Sequence, residues 1–316
     1  MTNISRHKYH SQLFSEKRTK VSMSRTSIVA AGVITLLLLA IHNVFFSQPV
    51  EITTSDFYGE KIMNSFNLQK EAKVLEAKFV KEGKFNDENN DVSINEGKIF
   101  IDELTSVPYL HCGSKYSGTS SSQPKELLML HGMKFTKDTW VQSSILPTLC
   151  HLDPHLSVIA ADLPATADGK ALEGLFRGLV KENIFSGKPV VIVSPSASGK
   201  SVLGLLEMSL PATERNEKDA VASQILRGWI PVACGSIQKS SDDILNRINH
   251  FQIPVLAIYG NLDKTGKIVS EKLDMIGKSN VEVVEMHGGH PVYLDDTAKF
   301  ISFVVLFVNH VNNVNI

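Results

Sequence analysis

In Val190-Val-Ile-Val-Ser-Pro-Ser-Ala-Ser-Gly-Lys-Ser-Val-Leu203, a β-branched run meets a cluster of small residues and then an amphipathic segment. β-branched residues suit a buried strand, small ones a tight turn, and the spacing beyond them a helix. Ser196 stands two residues from Ser194 and two from Ser198, with small groups on both sides where a sharp strand-to-helix turn leaves little room. That is the steric requirement of the nucleophile elbow G-x-S-x-G, here with serine at both glycine positions. The same stretch is one residue short of a phosphate loop, because S-P-S-A-S-G-K-S differs from G-x-x-x-x-G-K-[ST] only at Ser194. Two chemistries therefore compete for one turn.

From about Val92 to the end, strand-like runs alternate with helical ones: Lys98 to Ile101, Leu127 to Leu130, Leu156 to Asp162, Val190 to Val193, Ile225 to Cys234, Val255 to Tyr259 and Val281 to Met286. Helical patterns follow at Leu172 to Val180, Ser198 to Ser209 and Thr297 to Val311. Strands buried on both faces and separated by helices predict an α/β fold with a mainly parallel sheet flanked by helices. Sites in such sheets lie outside the carboxyl ends of the strands. Those ends carry His131-Gly132-Met133, Ser196, Asp263 in Gly260-Asn-Leu-Asp, and His290 in His287-Gly-Gly-His-Pro. Nucleophile, acid and histidine in that chain order are the order of α/β-hydrolases. A serine hydroxyl needs a base, which assigns His290, and the imidazole needs a carboxylate, which assigns Asp263. The oxyanion would meet the backbone N–H groups of Met133 and Ala197.

Each assignment has a rival. Ser196 could cap a helix and Asp263 could be a turn residue. Asp242 and Asp243 also follow a strand, but Ser-Ser-Asp-Asp before Ile244 reads as a helix start. His287 competes with His290, and the H-x-x-H pair has no carboxylate or thiolate beside it in a metal-ligand pattern. The phosphate-loop reading needs a glycine at Ser194 and leaves His131, Asp263 and His290 without a role. It makes Lys200 a phosphate ligand, whereas the elbow makes it a surface residue of the following helix.

The 316-residue chain is 43% hydrophobic with a net charge of −1, which suits a globular core and gives no basic surface for nucleic acid. Cys112, Cys150 and Cys234 are far apart and form no C-x-x-C pair, so buried free thiols are expected rather than a disulfide framework or zinc. Residues 1–25 form a basic tail in which Arg6, Lys8, Lys17, Arg18, Lys20 and Arg25 face only Glu16. No charged residue occurs from Thr26 to Val50, so residues 26–46 are read as a transmembrane signal anchor. The positive tail places that end in the cytoplasm, giving a single-pass type II protein of the endomembrane system or cell surface. Residues 47–91 are read as a linker with an amphipathic helix from Ile62 to Phe79, expected as a solvated stalk, and residues 92–316 as the catalytic domain.

Together, L-L-M-L-H-G-M-K-F, A-A-D-L-P, V-V-I-V-S-P-S-A-S-G, V-L-A-I-Y-G-N-L-D and G-G-H-P-V-Y-L-D resemble the α/β-hydrolase-domain-containing protein 14 family, its membrane-anchored form above all. The resemblance runs from about Gly97 to the end, and S-P-S-x-S-G is its most specific part. It implies an α/β-hydrolase fold with little or no cap domain and the triad Ser196, Asp263 and His290. It also implies a serine hydrolase or acyltransferase on a small ester, thioester or N-acyl substrate. No cofactor is required. Family members without the span are described as ester hydrolases and as lysine deacetylases that pass the acetyl group to coenzyme A, so coenzyme A enters as an acyl acceptor by resemblance, and a cytoplasmic pool is admitted. The other class of function is a non-catalytic scaffold on the same fold. Two departures stand out: Ala165-Thr-Ala-Asp-Gly169 replaces a glycine-rich turn, and Lys264-Thr-Gly266 follows the acid where relatives have a proline.

Overall fold

The computed structural model describes residues 65–81, 92–113, 124–209 and 220–313. In chain order these give α1 (Ser65–Lys81), β1 (Ile94–Phe100), β2 (Ser106–Cys112), β3 (Lys125–Met129), α2 (Asp138–Gln142), α3 (Ile145–Leu152), β4 (Leu156–Ala161), α4 (Gly169–Lys181) and β5 (Val190–Pro195). There follow α5 (Gly199–Met208), α6 (Val221–Ile225), β6 (Leu226–Val232), α7 (Ser236–Lys239), α8 (Asp242–Leu245), α9 (Arg247–His250), β7 (Val255–Gly260), α10 (Lys264–Gly277), β8 (Val281–Met286), α11 (Val292–Asp295) and α12 (Thr297–Asn313).

The eight strands form one sheet in the order β1-β2-β4-β3-β5-β6-β7-β8. β1 and β2 pair antiparallel, β2 pairs antiparallel with β4, and every pairing from β4 to β8 is parallel. All six residues of β4, β5 and β7 are buried, as expected of strands covered on both faces. Alternation along each strand divides the core in two. Leu128, Ile159 and Ile192 face α4, α5 and α10. Leu127, Met129, Val158, Val191 and Val193 face α1, α3 and α12. The chain runs from β3 outward to β4 and then returns to place β5 on the other side of β3. That reversal opens a crevice at the carboxyl ends of β3 and β5, where residues 131–133 and Ser196 emerge.

Three expectations change. α1 is docked rather than a solvated stalk: Leu68 and Ala72 are buried in the core beside α12, so the helix read as part of the linker belongs to the compact unit. The cysteines do not all remain free. Cys112 at the end of β2 and Cys150 in α3 form a disulfide, with Cα atoms 6.2 Å apart, and only Cys234 is a buried thiol. Spacing along the sequence carries no sign of this pair, because packing α3 against β2 and β4 is what brings the two together. Finally, β2 and α10 appear where the strand and helix patterns of the sequence leave gaps.

Between β6 and β7 the chain makes only three helices of four residues each, so no cap domain is inserted there. Among the described residues no helix is long and apolar enough to cross a membrane. The apolar run at 26–46 and the basic tail lie outside the described residues.

Candidate active site

Pro195 ends β5 in extended geometry, and Ser196 turns at once to a left-handed backbone with φ 54°. A non-glycine residue there is strained by roughly 1–3 kcal/mol, so the surroundings must hold it. They do so through the two serines that stand in place of glycines. Ser194 is fully buried; its hydroxyl accepts the Trp229 indole N–H at 2.8 Å, and its carbonyl accepts the Cys234 thiol at 2.8 Å. Ser198 donates its hydroxyl to the Pro195 carbonyl at 2.8 Å, closing the turn. Burial pushes the Cys234 thiol up to about 12, so it stays neutral beneath the elbow. Ser196 is not the cap of either helical turn that follows, since Pro195 holds the N-cap position of the first and Ser198 that of the second.

The Ser196 hydroxyl instead lies 2.8 Å from His290 Nε2, and His290 Nδ1 lies 2.6 Å from Asp263 Oδ2. Because a carboxylate only accepts, Nδ1–H is the donor and Nε2 is free to accept from Ser196. The loops bearing Asp263 and His290 are zipped together. Asn261 N–H donates to the Met286 carbonyl at 2.8 Å, Leu262 N–H to the Gly288 carbonyl at 2.9 Å, and Gly288 N–H to Asn261 Oδ1 at 3.1 Å. A side chain at Gly260 would strike the carbonyl oxygens of Gly288 and Gly289, so this approach needs glycine at the end of β7.

Asp263 holds both of its proposed roles. Oδ1 caps α10 by accepting the Gly266 N–H at 3.0 Å, while Oδ2 takes the histidine. This accounts for Gly266, since a Cβ there would sit 2.7 Å from Asp263 Oδ2. The other departure also has a structural use: Asp168 caps α4 through the Ala171 N–H at 3.0 Å, and Gly169 meets Gly204 where α4 crosses α5.

Of the remaining candidates, the structure brings the His131-Gly132-Met133 loop over the serine. A Cβ on Gly132 would lie 3.7 Å from that of Ser196. Met133 and Lys134 are exposed, and Ala197 is half-buried beside Ser196. Asp242 and Asp243 lie instead in the first turn of α8, which Ser241 caps. His287 is exposed with Nδ1 3.5 Å from Asn261 Nδ2, outside the serine–histidine–aspartate chain. The phosphate-loop alternative loses its ligands. Lys200 Nζ donates to the Thr166 carbonyl at 3.1 Å, and the buried Ser201 hydroxyl donates to the Ser198 carbonyl at 2.8 Å.

Sequence reasoning passed over Asp162 and Lys137. Asp162 follows β4 in A-A-D-L-P, a strand-end position of the same kind as those it singled out, and its Oδ1 accepts the Lys137 N–H at 2.6 Å. Lys137 is buried, with Nζ 3.0 Å from Asp138, 3.2 Å from Glu96 and 3.8 Å from Asp162. Burial works to lower its pKa, but these carboxylates prevail and hold the ammonium above its ordinary range.

The sequence matches no family model and no curated protein. Its structure is similar to that of a predicted CIB-like hydrolase from Thermoplasma acidophilum, at 19% identity and a TM-score of 0.51 over 71% of this chain and 100% of that one. It is also similar to a fluorophosphonate-binding serine hydrolase of Staphylococcus aureus, at 11% identity and a TM-score of 0.50 over 71% of this chain and 99% of that one. With the strand order and the crevice described above, these likenesses establish that the chain has the α/β-hydrolase fold.

Proposed function

We propose that this chain is a serine hydrolase or acyltransferase acting on a small ester, thioester or N-acyl substrate through an acyl-serine intermediate. The observation that carries the proposal is the unbroken chain from Ser196 through His290 to Asp263, at 2.8 and 2.6 Å. Ser196 Oγ attacks the acyl carbon as His290 Nε2 takes its proton, and Asp263 stabilises the resulting imidazolium. The tetrahedral oxygen is met by the N–H groups of Met133 and Ala197. His290 then protonates the leaving group, and a second acceptor, water or a thiol such as coenzyme A, takes the acyl group by the reverse path. His290 is half-exposed and Leu262 beside the acid is exposed, so the site opens directly to solvent and to a small substrate.

Membership of the α/β-hydrolase-domain-containing protein 14 family and acetyl transfer to coenzyme A belong to the same proposal and rest on the motif resemblance. The type II arrangement is part of the proposal too and rests on the uncharged run at 26–46 behind the basic tail. The disulfide supports it, since disulfides persist where the compartment is oxidising, as in the lumen or outside the cell.

An active-site fluorophosphonate tests the reading. Wild type is expected to be labelled, and Ser196→Ala to lose labelling together with at least about 10⁴-fold of esterase turnover. Folded wild type that takes no label would leave the non-catalytic scaffold in its place.

A further inference from the structure

We infer that His131 and Asp162 are positioning residues that set the peptide carrying the oxyanion donor. The inference rests on the serine-hydrolase reading and goes beyond its triad. β3 and β4 are parallel neighbours with Met129 opposite Ala160, so their loops leave the sheet side by side. His131 Nδ1 lies 2.9 Å from the Gly132 carbonyl, which can only accept, so Nδ1–H is the donor. Phe135 N–H donates to the same carbonyl at 3.0 Å. The Gly132 C=O and the Met133 N–H belong to one planar trans peptide, so fixing the carbonyl fixes the N–H on the opposite edge. The bond from the imidazole therefore orients the donor without touching substrate.

Asp162 holds the far end of the loop. Its Oδ1 accepts the Lys137 N–H at 2.6 Å, while His131 Nε2, which bears the lone pair when Nδ1–H donates, lies 3.8 Å from the same oxygen without a hydrogen bond. Lys137 Nζ ties the same carboxylate to Glu96 of β1 and to Asp138. An oxyanion donor acts only if it is already in place when charge develops, so this clamp should affect the chemical step more than substrate binding.

The test uses the full chain in detergent, with p-nitrophenyl acetate for kcat and KM and a fluorophosphonate for the rate of serine modification. His131→Leu is expected to lower kcat and the modification rate by about 30- to 100-fold with KM within about twofold of wild type. His131→Asn places an amide N–H at the same bond distance from Cα as Nδ1 and is expected to recover most of that loss, to within about fivefold of wild type. Asp162→Asn should slow both reactions by about tenfold. Wild-type rates in His131→Leu, or a His131→Asn variant as slow as His131→Leu, overturn the inference while leaving the serine reading intact. Should Asp162→Asn fail to fold because Lys137 loses a partner, the two His131 variants decide alone. Wild type that does not react with the fluorophosphonate overturns the serine reading and this inference with it.

Discussion

The two turns that meet at the candidate site are fastened by different physics. At the elbow after β5 every tie is neutral: the Trp229 indole on Ser194, the Cys234 thiol on the Ser194 carbonyl, and the Ser198 hydroxyl on the Pro195 carbonyl. At the loop after β3 the neutral ties on the Gly132 carbonyl are joined by charged ones, with the Lys137 ammonium among Glu96, Asp138 and Asp162. Location explains the difference. Ser194 and Cys234 are fully buried in mid-sheet, where an unpaired charge would cost several kcal/mol. Glu96 and Asp138 are more than half exposed and keep their water. The elbow should therefore be sensitive to volume, and the loop to loss of charge.

The largest expected effect lies beyond the loop. The segment that starts at His131 runs through α2 into α3, where Cys150 is bonded to Cys112. Its far end is thus held by a covalent tie closing a separation of 38 residues, for which chain entropy gives about 4 kcal/mol. Replacing both cysteines by serine should lower the denaturation midpoint accordingly. The fluorophosphonate rate of the folded protein should change little, because the clamp at the near end is intact. Thiol titration checks the premise: unreduced wild type should show one reactive thiol on denaturation, Cys234, and three after reduction. Three thiols without reduction would remove the tie from the comparison altogether.

At the elbow the sharpest test is Gly199→Ala. A Cβ there would sit 2.5 Å from Cys234 Sγ and 2.9 Å from its Cβ, in a region with no space to yield. Overpacking of this kind should cost about 2–3 kcal/mol. Adding Cys234→Ala removes the sulfur and should restore a good part of that loss, so the double variant is expected to be less destabilised than the sum of the two singles. If the two effects add, the elbow is not limited by volume at this contact. Changing the ionic strength should leave both variants in the same rank, since no charge is involved.

How much of this was visible beforehand depended on how local the cause is. β5 and the elbow were legible because a β-branched run and a small-residue turn state their conformation within fourteen residues. Asp263 and His290 were legible from their places after β7 and β8, although their rivals at Asp242 and His287 could be set aside only by geometry. β2 was hidden because Pro108, His111 and Cys112 interrupt its apolar pattern, and its place is fixed by pairing with β1 and β4. α10 was hidden because Val269, Leu273 and Ile276 make a narrow stripe among Lys, Ser, Glu and Asp. The disulfide and the Asp162–Lys137 clamp depend on which strands become neighbours, and sequence spacing contains no trace of that choice.

The smallest effect addresses the serine that stands where an elbow usually has glycine. Ser194→Gly would restore the usual residue and relax the steric demand of the turn, so a purely steric account predicts no loss. The structure gives the hydroxyl a task, since it is the acceptor for the buried Trp229 N–H. Without it the indole donor has no partner, at a cost of about 1–2 kcal/mol, and glycine adds backbone freedom to the unfolded chain. Ser194→Gly should therefore be less stable than wild type, while the Ser196–His290 pair keeps its fluorophosphonate rate within about threefold. A variant as stable as wild type would mean that the elbow merely tolerates serine, and the contrast between a bonded elbow and a charged loop would reduce to one of packing alone.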